Sequence, residues 1–231
     1  MIKNYNEFIT ALLEAGFSGP TGGKDEGVFE LIRYGWGAEA EAAGMHWHTG
    51  DPDTDPWQWR IRVFNERNDI VYSKLFNKKA GYITKDWYPY FLAARRGGRD
   101  FEDDYYDGYI SHYAKRIYET VKENGRLPVD RIKRIAGFTR EEKSRFDKAL
   151  TDLQMMMHLT ICDIYYNISK KGEEYGFSST VFCTPELFWG EDVINEAADI
   201  DEDEAVEKIT ERIMQLNPSA KIENVLKFIK G

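Results

Sequence analysis

The feature that most constrains this chain is an order of periodicities between Tyr109 and Trp189. Tyr109, Ile110, Tyr113, Ala114, Ile117, Tyr118 and Val121 recur at helical spacing, and Asn124-Gly125 stops them. Leu127 and Pro128 restart the chain into a short helix with apolar Val129, Ile132, Ile135 and Ala136, and Gly137 closes it. Thr139 with Glu142 forms a capping box for a long third helix carrying Phe146, Ala149, Leu150, Leu153 and Met157. Two β-prone runs follow, HLTICDIYYNIS and SSTVFCTPELFW, joined by the polar turn KKGEEYGF. This is the layout of a winged helix-turn-helix, closed by a β-ribbon.

The flanking segments are built differently. Asn4 and Glu7 cap a first helix whose apolar face is Tyr5, Phe8, Ile9, Leu12 and Leu13, and Gly16 ends it. A glycine-rich stretch to Gly50 shows no sustained period. IVYSKLF and AGYIT, separated by Asn77, Lys78 and Lys79, predict a hairpin, and KDWYPYFLAARR predicts a helix with Pro89 in its first turn. The basic, glycine and acidic run RRGGRDFEDDYYDG marks a boundary. After the ribbon, Asp201 with Glu204 caps a helix, Asn217-Pro218 breaks it, and Ser219 begins a last one. The expectation is an α+β, mainly helical protein in three parts. Residues 1–99 form an aromatic-rich helix and hairpin subdomain, 100–190 a winged-helix domain, and 191–231 a C-terminal helical extension.

Charge narrows the partners. With 31 basic and 40 acidic residues the formal net charge is −9, so any nucleic-acid site must be a local basic patch. The long third helix offers Arg140, Lys143, Arg145 and Lys148 among several acids, and Lys170 and Lys171 stand at the ribbon tip beside Glu173 and Glu174. The most one-sided group is Arg126, Arg131, Lys133 and Arg134, with Arg95, Arg96 and Arg99 forming another. Arg126, Arg131, Lys133, Arg134, Arg140, Lys143, Lys170 and Lys171 are the candidate DNA contacts. Cys162 and Cys183 are too few for a disulfide framework and read as buried thiols. The start MIKNYNEF lacks a basic segment with an apolar run behind it, and nowhere do about 18 apolar residues run together. A cytoplasmic location with no membrane partner is expected. No Walker loop, dinucleotide fingerprint or G-x-S-x-G elbow occurs, and no cofactor is expected.

The chemistry-bearing stretch is MHWHTGDPDTDPWQWR, Met45 to Arg60. His46, His48 and three aspartates could ligate a first-row metal, but a calcium loop fails because its sixth and twelfth places hold Pro56 and Arg62. Turn-forming Asp-Pro pairs account for the aspartates without an ion, and no metal is assigned. Asp55 suits an N-cap, Pro56 the first helical position, and Gln58 the third, completing a capping box. Alternation of Trp57, Trp59, Ile61 and Val63 with polar residues equally fits a strand, and the proline and cap favour the helix.

TDPWQWR and AGYITKDWYPYFLAARR, together with the winged-helix layout, resemble a group of bacterial proteins of unassigned activity. Those are in turn similar to the DNA glycosylases built from tandem winged-helix domains, which excise alkylated or crosslinked purines. The second likeness rests on element order and on the aromatic-proline-aromatic segment Tyr88-Pro89-Tyr90. The glycosylases carry glutamine, any residue, then glutamine or aspartate; here the match is Gln58-Trp59-Arg60, which agrees only at its first polar position. Arg60 cannot accept a proton and would repel the positive charge that develops on the sugar. The resemblance implies Gln58, with Asp55 as the nearest carboxylate, for catalysis, and an aromatic pocket of Trp57, Trp59, Trp87 and Tyr88. It implies a DNA-associated, repair-related protein with a degenerate motif. The alternatives are a non-enzymatic interaction scaffold and, third, a metal hydrolase using His46 and His48.

Overall fold

The computed structural model describes residues 2–20, 29, 31–32, 47–168, 171–172 and 174–231. Helix α1 (Tyr5–Ala15) is capped by Asn4, whose Oδ1 accepts from the Glu7 amide at 2.9 Å, and Gly16 ends it in a left-handed conformation. Strand β1 (Phe17–Ser18) follows directly. Helix α2 (Pro56–Glu66) leads to β2 (Ile70–Phe76) and β3 (Lys79–Thr84), and the order β1-β3-β2 makes a small antiparallel sheet. Asn77 and Lys78 turn the hairpin with φ of 48° and 65°, the two positive values a tight two-residue turn needs. Lys79 therefore belongs to the strand, opposite Phe76, and not to the turn.

Helix α3 (Tyr88–Arg96) has Pro89 in its first turn and Gly97 as its left-handed stop. The acidic segment expected to be a boundary is itself a helix, α4 (Phe101–Tyr106). Asp100 and Asp103 close a capping box there, and three acidic residues in the first turn complement the helix dipole. Next come α5 (His112–Asn124), β4 (Leu127–Pro128), α6 (Val129–Ile135) and α7 (Lys143–Met155). Glu142 binds the Thr139 amide at 3.0 Å as expected of a box, but the helix starts only at Lys143. Strands β5 (Thr160–Ile168) and β6 (Glu174–Cys183) form the ribbon, and β4 adds to β6 to give the order β4-β6-β5.

The second run ends as a strand sooner than its composition suggested. Thr184 caps α8 (Pro185–Trp189), with proline in the first position, so PELFW is helical. Helices α9 (Glu191–Ala198), α10 (Glu202–Leu216) and α11 (Ile222–Lys230) complete the chain. Lys221, not Ser219, precedes the last helix; Asn217 instead caps the Ser219 amide and hydroxyl. The protein is α+β and mainly helical, and among the described residues no helix is long and apolar enough to cross a membrane.

Buried side chains gather in three main clusters. One joins Phe17, Phe76 and Phe91 to Ile209, Ile213, Val225 and Phe228, so the last helices close over the first sheet. The Phe76 and Phe228 rings stack with centroids 3.9 Å apart, each burial being worth roughly 2–3 kcal/mol. The second gathers Ile117, Val121, Ile132, Phe146, Leu153 and Phe182 inside α5, α6, α7 and the ribbon. The third holds Phe8, Trp59, Ile70 and Tyr82 between α1, α2 and the first hairpin.

Candidate functional site

The first turn of α2 carries the Gln58-Trp59-Arg60 motif. Asp55 is wholly buried, and its Oδ1 accepts from the Trp57 amide at 2.9 Å while Oδ2 accepts from the Gly50 amide at 3.1 Å. Its carboxylate is thus committed to backbone on both sides. The cap is not reciprocated by Gln58: that side chain is half-buried and has no hydrogen-bond partner among the described residues. Trp59 points inward, stacks on Phe8 at 5.2 Å and donates from Nε1 to the Asp53 carbonyl at 2.8 Å. Arg60 folds back, its Nε donating to the Trp57 carbonyl at 3.1 Å and its guanidinium lying 3.7 Å over the Trp57 ring. The departing residue of the motif is therefore held on an exposed indole.

The four expected pocket aromatics stand in different surroundings. Trp57 is 40% exposed beside His48, Trp59 belongs to the third cluster, Trp87 meets Phe17 edge-on at 5.3 Å, and Tyr88 packs on Trp189 at 5.3 Å. Among the described residues no two of those four rings are in ring contact. His46 lies outside the described residues.

Among the basic residues, Arg126, Arg131, Arg134 and Arg140 are exposed and make no ion pair among the described residues. Arg131 and Arg134 are three apart on α6 and share a face. Lys133 and Lys143 both reach Asp147, at 3.7 and 2.6 Å, and Lys133 also lies 4.6 Å over the Phe146 ring. Lys171 is exposed, and Lys170 lies outside the described residues.

The second basic group turns inward. Arg95 donates to the carbonyls of Met155 at 2.7 Å, Ile229 at 2.8 Å and Phe228 at 3.3 Å, tying α3 to the C-terminal ends of α7 and α11. Arg96 donates to the Met156 carbonyl at 3.3 Å and to that of Met157, whose φ of 61° turns the chain out of α7. Arg99 donates from Nε to Asp104 Oδ1 at 2.8 Å, and Asp104 Oδ2 is 2.8 Å from His158 Nε2. An ionised carboxylate only accepts, so Nε2 carries the proton. Asp104 is wholly buried and His158 nearly so, between the edges of Phe101 and Tyr118. Burial, with Arg96 nearby, pushes His158 down to about 4, against the pull of Asp104. No period or spacing pairs residues 54 apart, so Asp104–His158 has no sequence signal; Arg95 and Arg96 could have been suspected only from their place in a last helical turn.

This network borders a cavity of about 420 Å3 between α3, α4, α5, α8 and α9, lined by Arg96, Tyr118, His158, Thr184 and Glu186 among others. Burial, helped by Glu186, raises the Tyr118 hydroxyl to about 12, so it stays protonated.

No curated protein and no solved structure matches the chain. A family model described as AlkZ related matches residues 2–230. Since that match spans nearly every residue of the fold described above, the chain belongs to the AlkZ-related family.

Proposed function

We propose that this chain is a DNA-associated protein of glycosylase descent whose catalytic motif is reduced to Gln58, with α5, β4, α6, α7 and the β5-β6 ribbon acting as a winged helix. The carrying observation is the set of exposed arginines, Arg126, Arg131, Arg134 and Arg140, without ion-pair partners among the described residues in a protein whose net charge is −9. The neighbouring lysines are occupied by Asp147, so the arginines form the local cationic surface that phosphates would meet. The sheet order β4-β6-β5 supports the winged-helix reading, because a short strand between the first two helices pairs with the ribbon. Gln58 supplies one amide able to orient water; Asp55, spent on two backbone amides, adds no carboxylate to it.

The test is binding of duplex and of alkylated or abasic duplex as a function of salt. Charge reversal at Arg131 and Arg134 lowers affinity and reduces the steepness of the salt dependence by roughly one unit per lost phosphate contact. Absence of binding at low ionic strength leaves the interaction scaffold, which the acidic balance of the chain favours. Base release from alkylated duplex, lost in Gln58→Ala, separates an active enzyme from a binding protein.

A further inference from the structure

Among the described residues Arg96 is a buried cation without an anion. Its Nε and Nη2 serve the Met156 and Met157 carbonyls, and Nη1 has no acceptor among the described residues. Asp104, the buried carboxylate nearby, is already taken by Arg99 and His158. Glu186 lines the same cavity from the first turn of α8, yet Arg96 and Glu186 form no ion pair with each other. A buried charge with no counter-charge is costly, and two opposite charges facing one space without touching are complementary to a molecule that carries both signs.

Of the rest of the lining, which also includes Arg99, Asp100, Glu102, Lys122 and Glu191, four side chains fit the same occupant. His158, neutral and anchored through Nε2, has no partner at Nδ1 among the described residues and presents an acceptor. The Tyr118 hydroxyl, also in the lining, has no partner among the described residues either. Leu92 and Ile194 supply an apolar wall. The volume falls in the range of roughly 300–1,000 Å3 that small-molecule sites occupy.

We infer that this cavity binds a small zwitterion of the free amino acid type, its carboxylate on Arg96 and its ammonium on Glu186. The site is separate from the Gln58 motif, and the inference does not depend on the DNA reading.

Thermal-shift measurements with the standard L-amino acids at millimolar concentration, followed by calorimetry on those that shift, test it. At least one amino acid raises Tm. Its N-acetyl and its carboxamide derivatives, each lacking one charge, do not. Arg96 also ties α3 to the chain after α7, so its substitution can unfold the protein. Glu186→Gln avoids that: the unliganded Tm stays near that of the parent and affinity falls at least about tenfold, the loss expected for one charge-assisted hydrogen bond. No shift with any amino acid, equal binding of the acetylated or amidated forms, binding of inorganic phosphate in their place, or undiminished affinity in Glu186→Gln would each overturn the inference.

Discussion

His158 Nε2 and Asp104 Oδ2 meet at 2.8 Å, both side chains being buried. The neutral imidazole is the folded form, its pKa lowered from 6.5 to about 4. Above pH 6.5 both folded and unfolded chains leave it neutral and it contributes no slope. Between 6.5 and about 4 the unfolded chain takes a proton that the folded one refuses, so stability falls as pH falls, by about 3 kcal/mol in all. Burial works to raise Asp104, but hydrogen bonds from His158 and Arg99 more than offset it, so its protonation removes further stability at still lower pH. Denaturant titrations across this range, repeated on His158→Gln, check the sign: the variant loses the slope between 6.5 and 4.

Arg95→Met leaves three carbonyls at the ends of α7 and α11 without their donor. We expect a loss of about 2–4 kcal/mol, with Arg95→Lys intermediate because an ammonium cannot span the same fork. Hydrogen exchange reads it: amides of α11 lose protection before those of α5. Uniform loss across the molecule would speak against a local tie.

Asp55 and Gln58 separate stability from activity. Asp55→Ala removes a buried cap with two backbone bonds and costs about 2 kcal/mol. Gln58→Ala removes no hydrogen bond among the described residues, and chemical denaturation should show a change within about 0.5 kcal/mol. Any effect of Gln58→Ala on DNA binding or base release is then a property of the site itself.

Gly81→Ala tests the closeness of the first sheet. A Cβ there would lie 2.5 Å from the Phe76 ring and 2.6 Å from the Ser18 carbonyl, and Phe76 is pinned by its stack on Phe228. A destabilisation of about 1–3 kcal/mol is expected. Near-UV circular dichroism should register the disturbed aromatic packing.

Legibility followed range along the chain. The helices from His112 to Met155 and both hairpins were readable because their signals, apolar period, caps and glycine stops, lie within a few residues of one another. The helix from Phe101 to Tyr106 is hard to read because it buries only Phe101 and Asp104 and leaves no apolar stripe, although Asp100 with Asp103 carries the cap. PELFW was absorbed into the preceding strand because its apolar residues continue that run, while Thr184-Pro185 held the helix signal. The inward roles of Arg95, Arg96 and Arg99 leave no mark beyond the place of the first two in a last helical turn, since a basic cluster reads as surface until the fold brings its acceptors together. The capping half of the Asp55 and Gln58 reading was local and legible; the Gln58 amide took no part in it.

Phe228 on Phe76 joins two points of the chain that are synthesised far apart in time. While α11 is still inside the ribosomal tunnel, Phe17, Phe76 and Phe91 lack the Phe228 ring, and until α10 and α11 both emerge the first hairpin has its apolar face uncovered. The middle helices and ribbon, whose partners are close in sequence, can settle before α11 is made, whereas the aromatic sheet must wait for Phe228.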